Sequence, residues 1–257
     1  MTDTTDRSTR ELRATALSVA FAGLRAVDDV DLVVRDDEIL GLIGPNGAGK
    51  TTLVNSLTGF QACGGRLEFD GVDATGWIPR RRARAGLRRT FQNVRLFKDM
   101  TVAENVEVTG LGLGLRRSAA RAEARHVLQC FDLAAEADRP AGSLPYGLER
   151  RLGIARVLVA SPRYVLLDEP AAGLDENESD ELLEQLRSIP SAFGCGLMVI
   201  EHDMRLIMRL CDRLHVINYG TTLAVGSVHD VRTDPAVIEA YLGSATHEST
   251  ASRVAHG

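Results

Sequence analysis

A glycine-rich segment containing one lysine carries the clearest chemistry in the sequence. Residues 44–52 read Gly-Pro-Asn-Gly-Ala-Gly-Lys-Thr-Thr and fit the pattern GxxxxGK[ST] in full. Glycines let the backbone bend with its N–H groups around a phosphate, and a following helix adds partial positive charge at its N-terminus. Lys50 can reach the β- and γ-phosphates of a nucleotide, while the Thr51 hydroxyl can bind Mg²⁺. We therefore predict a phosphate-binding loop formed by Gly44, Pro45, Asn46, Gly47, Ala48, Gly49, Lys50, Thr51 and Thr52.

Two adjacent acids, Asp168 and Glu169, follow the apolar stretch 164–167 and precede Pro170. At the tip of a buried strand, Asp168 can hold Mg²⁺ through water. Glu169 is placed to accept a proton from an attacking water. Pro170 prevents the strand from continuing. Two solvated acids at a strand end would have the same pattern, but the phosphate-binding loop favours a catalytic interpretation.

The composition excludes several classes of protein. The chain has 257 residues, a net charge of −5, 44% hydrophobic residues and 25% charged residues, which is typical of a globular domain with a sizeable core. No apolar run approaches 18 residues, so we expect no membrane span. The four cysteines are scattered and predict neither a disulfide framework nor a zinc site. The mild acidity gives no general electrostatic reason to bind nucleic acid.

Alternating strand-like and helix-like segments must position these residues. We predict strands at 27–34, 38–43, 66–69, 164–167 and 196–200, with Asp70-Gly71 as a tight turn. Helices are predicted at 51–58, 116–131, 147–160 and 176–188, and another begins at the capping-box pattern 101–104. This alternation indicates an α/β fold with mostly parallel core strands. Far more chain separates Lys50 from Asp168 than a minimal phosphate-binding fold needs, which predicts a large insertion.

In the order of its motifs the chain resembles the ATP-binding subunits of ABC transporters over roughly residues 12–243. Gln92 resembles the glutamine of the family's Q-loop, which reaches the Mg²⁺ ion and the attacking water. His202 is similar to the switch histidine that contacts the γ-phosphate, and Ala172–Asp175 to the D-loop that crosses a dimer interface. Phe21 resembles the aromatic residue that stacks on adenine, with Val27 beside it. Taken singly, Gln92, His202 or Phe21 would be an ordinary structural residue.

The resemblance implies a P-loop NTPase cassette that binds ATP and Mg²⁺. Its catalytic residues would be Glu169, His202 and Gln92, and its metal site would comprise Thr51, Gln92 and Asp168. Its core sheet would be mostly parallel, with an N-terminal antiparallel β region and an inserted α-helical subdomain. The implied domains are an ATP-binding core at 11–92 and 157–243, a helical subdomain at 93–156, and flexible tails at 1–10 and 244–257.

The family's signature motif is altered in this chain. Where the family usually has LSGGQ, the sequence reads Leu-Pro-Tyr-Gly-Leu over residues 144–148. Pro145 replaces the serine that touches the γ-phosphate across the dimer, and Leu148 replaces the glutamine. Tyr146 and Gly147 remain as candidate nucleotide contacts, because a helix N-terminus still offers N–H groups to an anion. The alternative is a helix start with no role in nucleotide binding.

The Tyr-Gly signature followed by Arg-Arg is similar to ATPase subunits of branched-chain amino acid importers. The implied function is ATP hydrolysis that drives import of branched-chain or other hydrophobic amino acids. Importers of urea, amides or other solutes stay open, as do a non-transport ABC ATPase and a nucleotide-dependent regulator. The implied partners are a second ATP-binding subunit, identical or paralogous, and two transmembrane permease subunits. An extracytoplasmic solute-binding protein would act indirectly, nucleic acid is not expected, and the location would be the cytoplasmic face of the inner or plasma membrane.

A run of arginines lies just before Gln92, at Arg80–Arg82, Arg84, Arg88 and Arg89. We expect these side chains to form a solvated helix face, or else a surface near anionic lipid headgroups or permease loops. The apolar residues Leu96, Phe97 and Met100 follow. In the resembled family this region receives a helix of the membrane subunit, and half-buried packing within the domain is the alternative.

Overall fold

The fold is described from a computed structural model, which covers residues 10–92 and 94–241. The predicted tails at 1–10 and 244–257 lie outside these residues, except for Arg10. Arg10 donates from Nε to Asp36 Oδ2 over 2.8 Å. Within the described part of the chain, no helix combines the length and apolarity that crossing a bilayer requires.

A six-stranded sheet forms the centre of the molecule. Its strands, which we number with those of the smaller sheet in chain order, are β3 (Ile39–Ile43), β6 (Leu87–Arg89), β7 (Tyr164–Asp168), β8 (Gly196–Ile200), β9 (Arg213–Asn218) and β10 (Thr221–Ser227). Their order is β10-β9-β3-β8-β7-β6, and all neighbours are parallel except the β9–β10 hairpin. The mostly parallel core sheet predicted from the alternating segments is confirmed.

A second, antiparallel sheet lies against the first. It contains β1 (Glu11–Phe21), β2 (Leu24–Arg35), β4 (Gly64–Phe69) and β5 (Val72–Asp73) in the order β2-β1-β4-β5. The turn between β4 and β5 is the predicted one, because Asp70 and Gly71 both have positive φ, 50° and 76°. The N-terminal antiparallel region implied by the resemblance is therefore present.

The helices of the described chain flank the central sheet on both faces. They are α1 (Lys50–Thr58), α2 (Pro79–Ala85), α3 (Val102–Gly112), α4 (Arg117–Cys130), α5 (Tyr146–Leu158), α6 (Glu176–Phe193), α7 (Met204–Leu210) and α8 (Val228–Thr233). The predicted capping box at Thr101 is confirmed, since its hydroxyl accepts from Glu104 N while the Glu104 side chain accepts from Thr101 N. Asp175 and Glu178 form a second capping box at the start of α6.

Two hydrophobic clusters lie on opposite faces of the central sheet. Because successive side chains of a strand alternate between faces, Leu40 and Leu42 pack with α1 and the antiparallel sheet. Ile39 and Ile43 instead join the cluster that contains residues of α3 to α7. The continuous apolar runs of β3, β7 and β8 are thus explained by burial on both faces.

Several elements were not predicted from the sequence: β1, α2, β6, α7, β9, β10 and α8. β1 illustrates the reason, because its pairing with β2 shifts register between Ala14 and Leu17 and interrupts the alternation of buried and exposed residues. α6 also extends beyond its predicted end at Ser188 and contains Pro190. Burial of Ile189 and Phe193 against the core favours this extra length.

The expectation of a solvated arginine face is wrong for three residues of the run. Arg82 is only 4% exposed and donates to the carbonyls of Ser56 and Leu57 at the end of α1. Arg88 and Arg89 lie in strand β6, where their side chains point to opposite faces and are both buried. The sequence pattern missed this burial because a short helix, a turn and a strand succeed one another within eleven residues, 79–89.

Candidate functional site

Three parallel strands bring the predicted residues to one edge of the central sheet. In the register of β3 and β8, Leu42 lies beside Ile200, and in that of β7 and β8, Asp168 lies beside Ile200. The segments that follow these strands begin with Gly44, Glu169 and Glu201. The carboxyl ends of the strands therefore place the phosphate-binding loop next to the acids and to the segment that carries His202, as is usual for ligand sites in open α/β sheets.

The backbone of the predicted phosphate-binding loop requires glycine at two close approaches. Gly44 has φ 156°, and a Cβ at that position would lie 2.1 Å from the carbonyl oxygen of Ile217. Gly49 has φ 104°, and a Cβ there would lie 2.4 Å from the carbonyl oxygen of Ala26. The loop is thus fixed against β9 and the start of β2. Its other members follow: Pro45 and Thr52 half-buried, Asn46, Gly47 and Thr51 exposed, and Ala48 buried.

Lys50 folds back over this loop. Its Nζ donates to the carbonyls of Gly44 and Pro45 over 2.6 and 3.0 Å. Burial lowers the pKa of Lys50, while the charges of Glu169 and Asp168 act in the opposite direction. The ammonium group therefore lies in the mouth of the loop and within the field of both acids.

Asp168, at the end of β7, is held by two polar contacts. Its backbone N donates to Thr90 Oγ1 over 3.0 Å, and its Oδ2 accepts from Arg89 Nη2 over 3.3 Å. Burial raises the pKa of Asp168, and the neighbouring Arg89 counteracts this. Arg89 was not predicted as a site residue. Arg89 reaches Asp168 because it ends the short strand β6, which pairs with β7 and places Arg89 beside Leu166.

Glu169 lies between Gln92 and His202. Its Oε2 accepts from Gln92 Nε2 over 2.9 Å, and its Oε1 lies 3.7 Å from His202 Nδ1. The backbone of Glu169 has a positive φ of 46°, which is rare for a residue with a side chain and which often marks functional sites. The fold therefore brings together the three residues that the resemblance implied to be catalytic.

Glu201 is a further acid of the site that sequence reasoning missed. It is 2% exposed, and its carboxylate accepts from the backbone N–H groups of Ala171 and His202, each over 3.1 Å. Burial raises its pKa. Its second oxygen lies 3.7 Å from His202 Nδ1, so this ring nitrogen is 3.7 Å from the carboxylates of both Glu169 and Glu201. The available signal was an acid directly after the buried strand β8.

The two residues predicted to contact adenine differ in accessibility. Phe21, at the end of β1, is 46% exposed and is therefore accessible from solvent. Val27 is 1% exposed and belongs to the cluster beneath the antiparallel sheet, so its side chain offers no surface to a base in this conformation.

The altered signature segment begins α5, with Pro145 as its N-cap. The Tyr146 hydroxyl donates to Ala172 O over 2.9 Å, and a Cβ on Gly147 would lie 2.5 Å from Glu178 Oε1. These partners belong to the segment 171–178 of the same chain. The expected contact of Tyr146 and Gly147 with nucleotide on a second subunit stays a prediction.

The residues present fit a Mg²⁺–nucleotide group. Glycines at 44, 47 and 49 leave a loop without side chains at its turns, and Lys50 supplies a cation at its mouth. Thr51 offers an exposed hydroxyl and Asp168 a partly exposed carboxylate. Oxygen donors of this kind, together with phosphate oxygens, are the ligands that Mg²⁺ prefers.

Two family models match the sequence. The model described as "ABC transporter" matches residues 27–172. The model described as "Branched-chain amino acid ATP-binding cassette transporter" matches residues 221–247. The first covers the phosphate-binding loop, both acids and the altered signature segment. The second covers the C-terminal part beyond β9.

Curated relatives match over nearly their whole length. The high-affinity branched-chain amino acid transport ATP-binding protein BraF of Pseudomonas aeruginosa is 44% identical over an alignment of 250 residues that covers 91% of this chain and 98% of that protein. LivG of Escherichia coli, a protein with the same description, matches with the same identity and coverage.

Solved structures share the fold. The crystal structure of an ATP-binding cassette of an ABC transporter in its ADP conformation superposes with a TM-score of 0.83 at 29% identity, covering 92% of this chain and 100% of that one. A nucleotide-free ATP-binding cassette gives a TM-score of 0.81 at 28% identity, with 90% and 98% covered.

Proposed function

The chain belongs to the ABC transporter family of ATP-binding cassettes, and from this premise we propose that it is the ATP-hydrolysing subunit of an importer for branched-chain or other hydrophobic amino acids. The observation that carries the hydrolytic part is the arrangement of Lys50, Asp168, Glu169, Gln92 and His202 at one sheet edge. The transported class is supported by the C-terminal family match and by the 44% identity to BraF and LivG.

In this proposal the loop Gly44–Thr52 binds the phosphates of ATP. Backbone N–H groups, the N-terminus of α1 and the Lys50 ammonium all face the same anion and stabilise the charge that develops during transfer. Mg²⁺, held by Thr51, Asp168 and Gln92, would supply further charge neutralisation. Arg89 keeps the Asp168 carboxylate oriented toward this site.

Glu169 acts as the general base. It takes a proton from the water that attacks the γ-phosphorus, and the bond from phosphorus to the leaving oxygen of ADP breaks. Gln92 donates to one oxygen of Glu169 and His202 lies beside the other, so together they orient the carboxylate. Glu201 fixes His202 through its backbone N–H. Phe21 would stack on the adenine.

A second copy or a paralogue would complete each site. The helix N-terminus at Tyr146 and Gly147 would face the nucleotide bound by the other subunit. Pro145 provides no hydroxyl at this place, so N–H groups alone would contact the γ-phosphate. ATP would link the two subunits, and its hydrolysis would let them part.

We also propose a division of the chain by role. The ATP-binding core would comprise 11–92 and 157–243, and the helical subdomain 93–156. The packing of α3 on α4 and of both on α5 supports this division. Leu96 and Met100 are half-buried and Phe97 is exposed, which suits a surface for the permease subunits. A location at the cytoplasmic face of the membrane, with two permease subunits and an extracytoplasmic solute-binding protein, follows from this role.

The test is ATP turnover by the full chain with and without the membrane subunits encoded beside its gene, followed by uptake of labelled leucine into vesicles that contain the complex. We expect turnover to rise on assembly and uptake to require ATP. Turnover without uptake of leucine, but with uptake of urea or an amide, would replace the substrate class. Nucleotide binding without any turnover would favour a regulator.

A further inference from the structure

A closed ring of hydrogen bonds runs through the proposed base. Gln92 Nε2 donates to the Glu169 carboxylate, and the backbone carbonyl of Gln92 accepts from Arg150 Nη1 over 2.8 Å. Arg150 donates from Nε and Nη2 to the Tyr146 hydroxyl over 2.9 and 2.6 Å. The Tyr146 hydroxyl donates to Ala172 O, and the backbone N of Ala172 donates to the backbone carbonyl of Glu169 over 3.2 Å. The ring thus returns to the residue from which it started.

The Tyr146 hydroxyl is saturated by this arrangement. It uses its one proton toward Ala172 and accepts two N–H groups of one guanidinium. Its ring also packs on Gly173, where a Cβ would lie 3.0 Å from ring atoms. Phenylalanine would keep this packing and would remove every hydrogen bond of the hydroxyl.

Arg150 is a buried cation without an acid as partner. It is 8% exposed and forms no ion pair within residues 10–92 and 94–241. Buried arginines are ordinarily paired with acids. The donors of Arg150 are directed instead at the Gln92 backbone and at Tyr146, which belong to two different segments of the site. The planar guanidinium places three separate nitrogen donors on these two acceptors in a fixed geometry, which the single nitrogen of an ammonium does not reproduce.

We propose that Arg150 and Tyr146 are positioning residues for hydrolysis. They fix the backbone of Gln92 and the segment that follows Glu169 relative to the start of α5, and they act on turnover only through Gln92 and Glu169. No member of the ring lies in the loop Gly44–Thr52, and the contact proposed for Tyr146 with a second subunit's nucleotide uses its backbone N–H. We therefore expect changes to the Tyr146 and Arg150 side chains to leave the phosphate contacts of ATP in place. This inference rests on the proposed ATPase function and adds two residues to its machinery.

The first experiment compares steady-state ATP hydrolysis by the wild-type, Tyr146→Phe and Arg150→Lys chains in the assembled transporter. We expect kcat to fall about tenfold in each variant, since a charge-assisted hydrogen bond is lost, while KM for ATP stays within about twofold. The double variant should lose no more than the more severe single variant, because both changes open the same ring.

Arg151→Lys is the matched control. Arg151 is the next residue of α5, is similarly buried and pairs with Glu181 outside the ring. An equal fall of kcat in Arg151→Lys would overturn the proposal, as would unchanged kcat in Tyr146→Phe or a rise of KM that accounts for the whole loss.

A second measurement does not depend on turnover. Hydrogen–deuterium exchange of the full-length chain should be several-fold faster at residues 169–175 in Tyr146→Phe than in the wild type, with α1 unchanged. Equal exchange in both proteins would overturn the ring as a positioning device. If the wild-type complex hydrolyses no ATP, the proposed function fails, and the exchange result still decides whether the ring holds this segment.

Discussion

Gln92 and Glu169 lie 77 positions apart in the chain, yet the amide Nε2 of Gln92 donates to Oε2 of Glu169 over 2.9 Å. His202 Nδ1 lies 3.7 Å from the other carboxylate oxygen. The candidate base is therefore oriented from both sides by residues that follow two different strands. The site depends on the relative position of β6, β7 and β8 as much as on the residues themselves.

Replacing Glu169 by glutamine should separate binding from hydrolysis. The amide cannot accept the proton of the attacking water, so turnover should fall by about 10²–10⁴ while ATP still binds. The ATP-bound dimer should also persist long enough to be seen by size-exclusion chromatography. Glu176→Gln is the control, because that acid is exposed and outside the site. Unchanged turnover in Glu169→Gln would remove Glu169 from its role.

Lys50→Ala should abolish tight nucleotide binding. The ammonium lies at the mouth of the loop, and alanine leaves only the N–H groups and the helix end to bind the phosphates. Isothermal calorimetry with Mg-ATP measures this loss directly. Lys98→Ala is a matched control, since Lys98 is exposed and is the other lysine of the sequence. Wild-type affinity in Lys50→Ala would contradict the phosphate-loop interpretation.

Arg82→Ala should destabilise the fold. Four carbonyls, those of Ser56, Leu57, Thr75 and Trp77, would each lose a donor inside the protein. We expect a loss of about 2–4 kcal/mol in the free energy of unfolding by urea denaturation. Arg84→Ala, an exposed change in the same helix, should cost under about 0.5 kcal/mol. Equal losses in both variants would show that the buried contacts of Arg82 contribute no more to the free energy of unfolding than an exposed arginine does.

His215 should make stability depend on pH below neutrality. Burial, and secondarily Arg213, lowers the pKa of His215 to about 4, while Asp31 acts in the opposite direction. The unfolded chain then binds a proton near pH 6.5 that the folded chain does not. The stabilisation is complete above pH 6.5 and is lost as the pH falls toward 4, by about 3 kcal/mol.

Urea denaturation of the wild-type chain at pH 7 and pH 4.5 measures this loss. His215→Gln should reduce the difference between the two pH values, although it also alters the contact with Thr222 Oγ1 at 2.9 Å. His229→Gln changes an exposed histidine and should leave the difference as it is. A wild-type stability that is equal at both pH values would refute the prediction.

Local chemistry was readable from the sequence where the determinants are contiguous. The phosphate-binding loop occupies nine consecutive residues, and the capping box at Thr101 needs only four, so spacing alone predicts both. Asp168 and Glu169 were found because a buried strand and a proline frame them. The resemblance to a family then supplied Gln92 and His202, which spacing alone would have left unassigned.

Tertiary contacts were not readable in the same way. Arg82, Arg88 and Arg89 look like surface charges in a basic run, yet their side chains are buried, and Arg89 pairs with Asp168, which lies 79 positions away in the chain. Arg150 meets Gln92 across 58 positions and Tyr146 across one helical turn. Because the acceptors of Arg150 are a backbone carbonyl and a hydroxyl, no pairing of opposite charges in the sequence predicts that this arginine is buried.

The position of Lys50 has a consequence for how a nucleotide enters. Two of the three protons of its ammonium group are already directed at the carbonyls of Gly44 and Pro45. The side chain is thereby anchored before any anion arrives, and little rotational freedom is left for an incoming phosphate to remove. An incoming phosphate then has to accept only the third proton of an ammonium group that is already held in place.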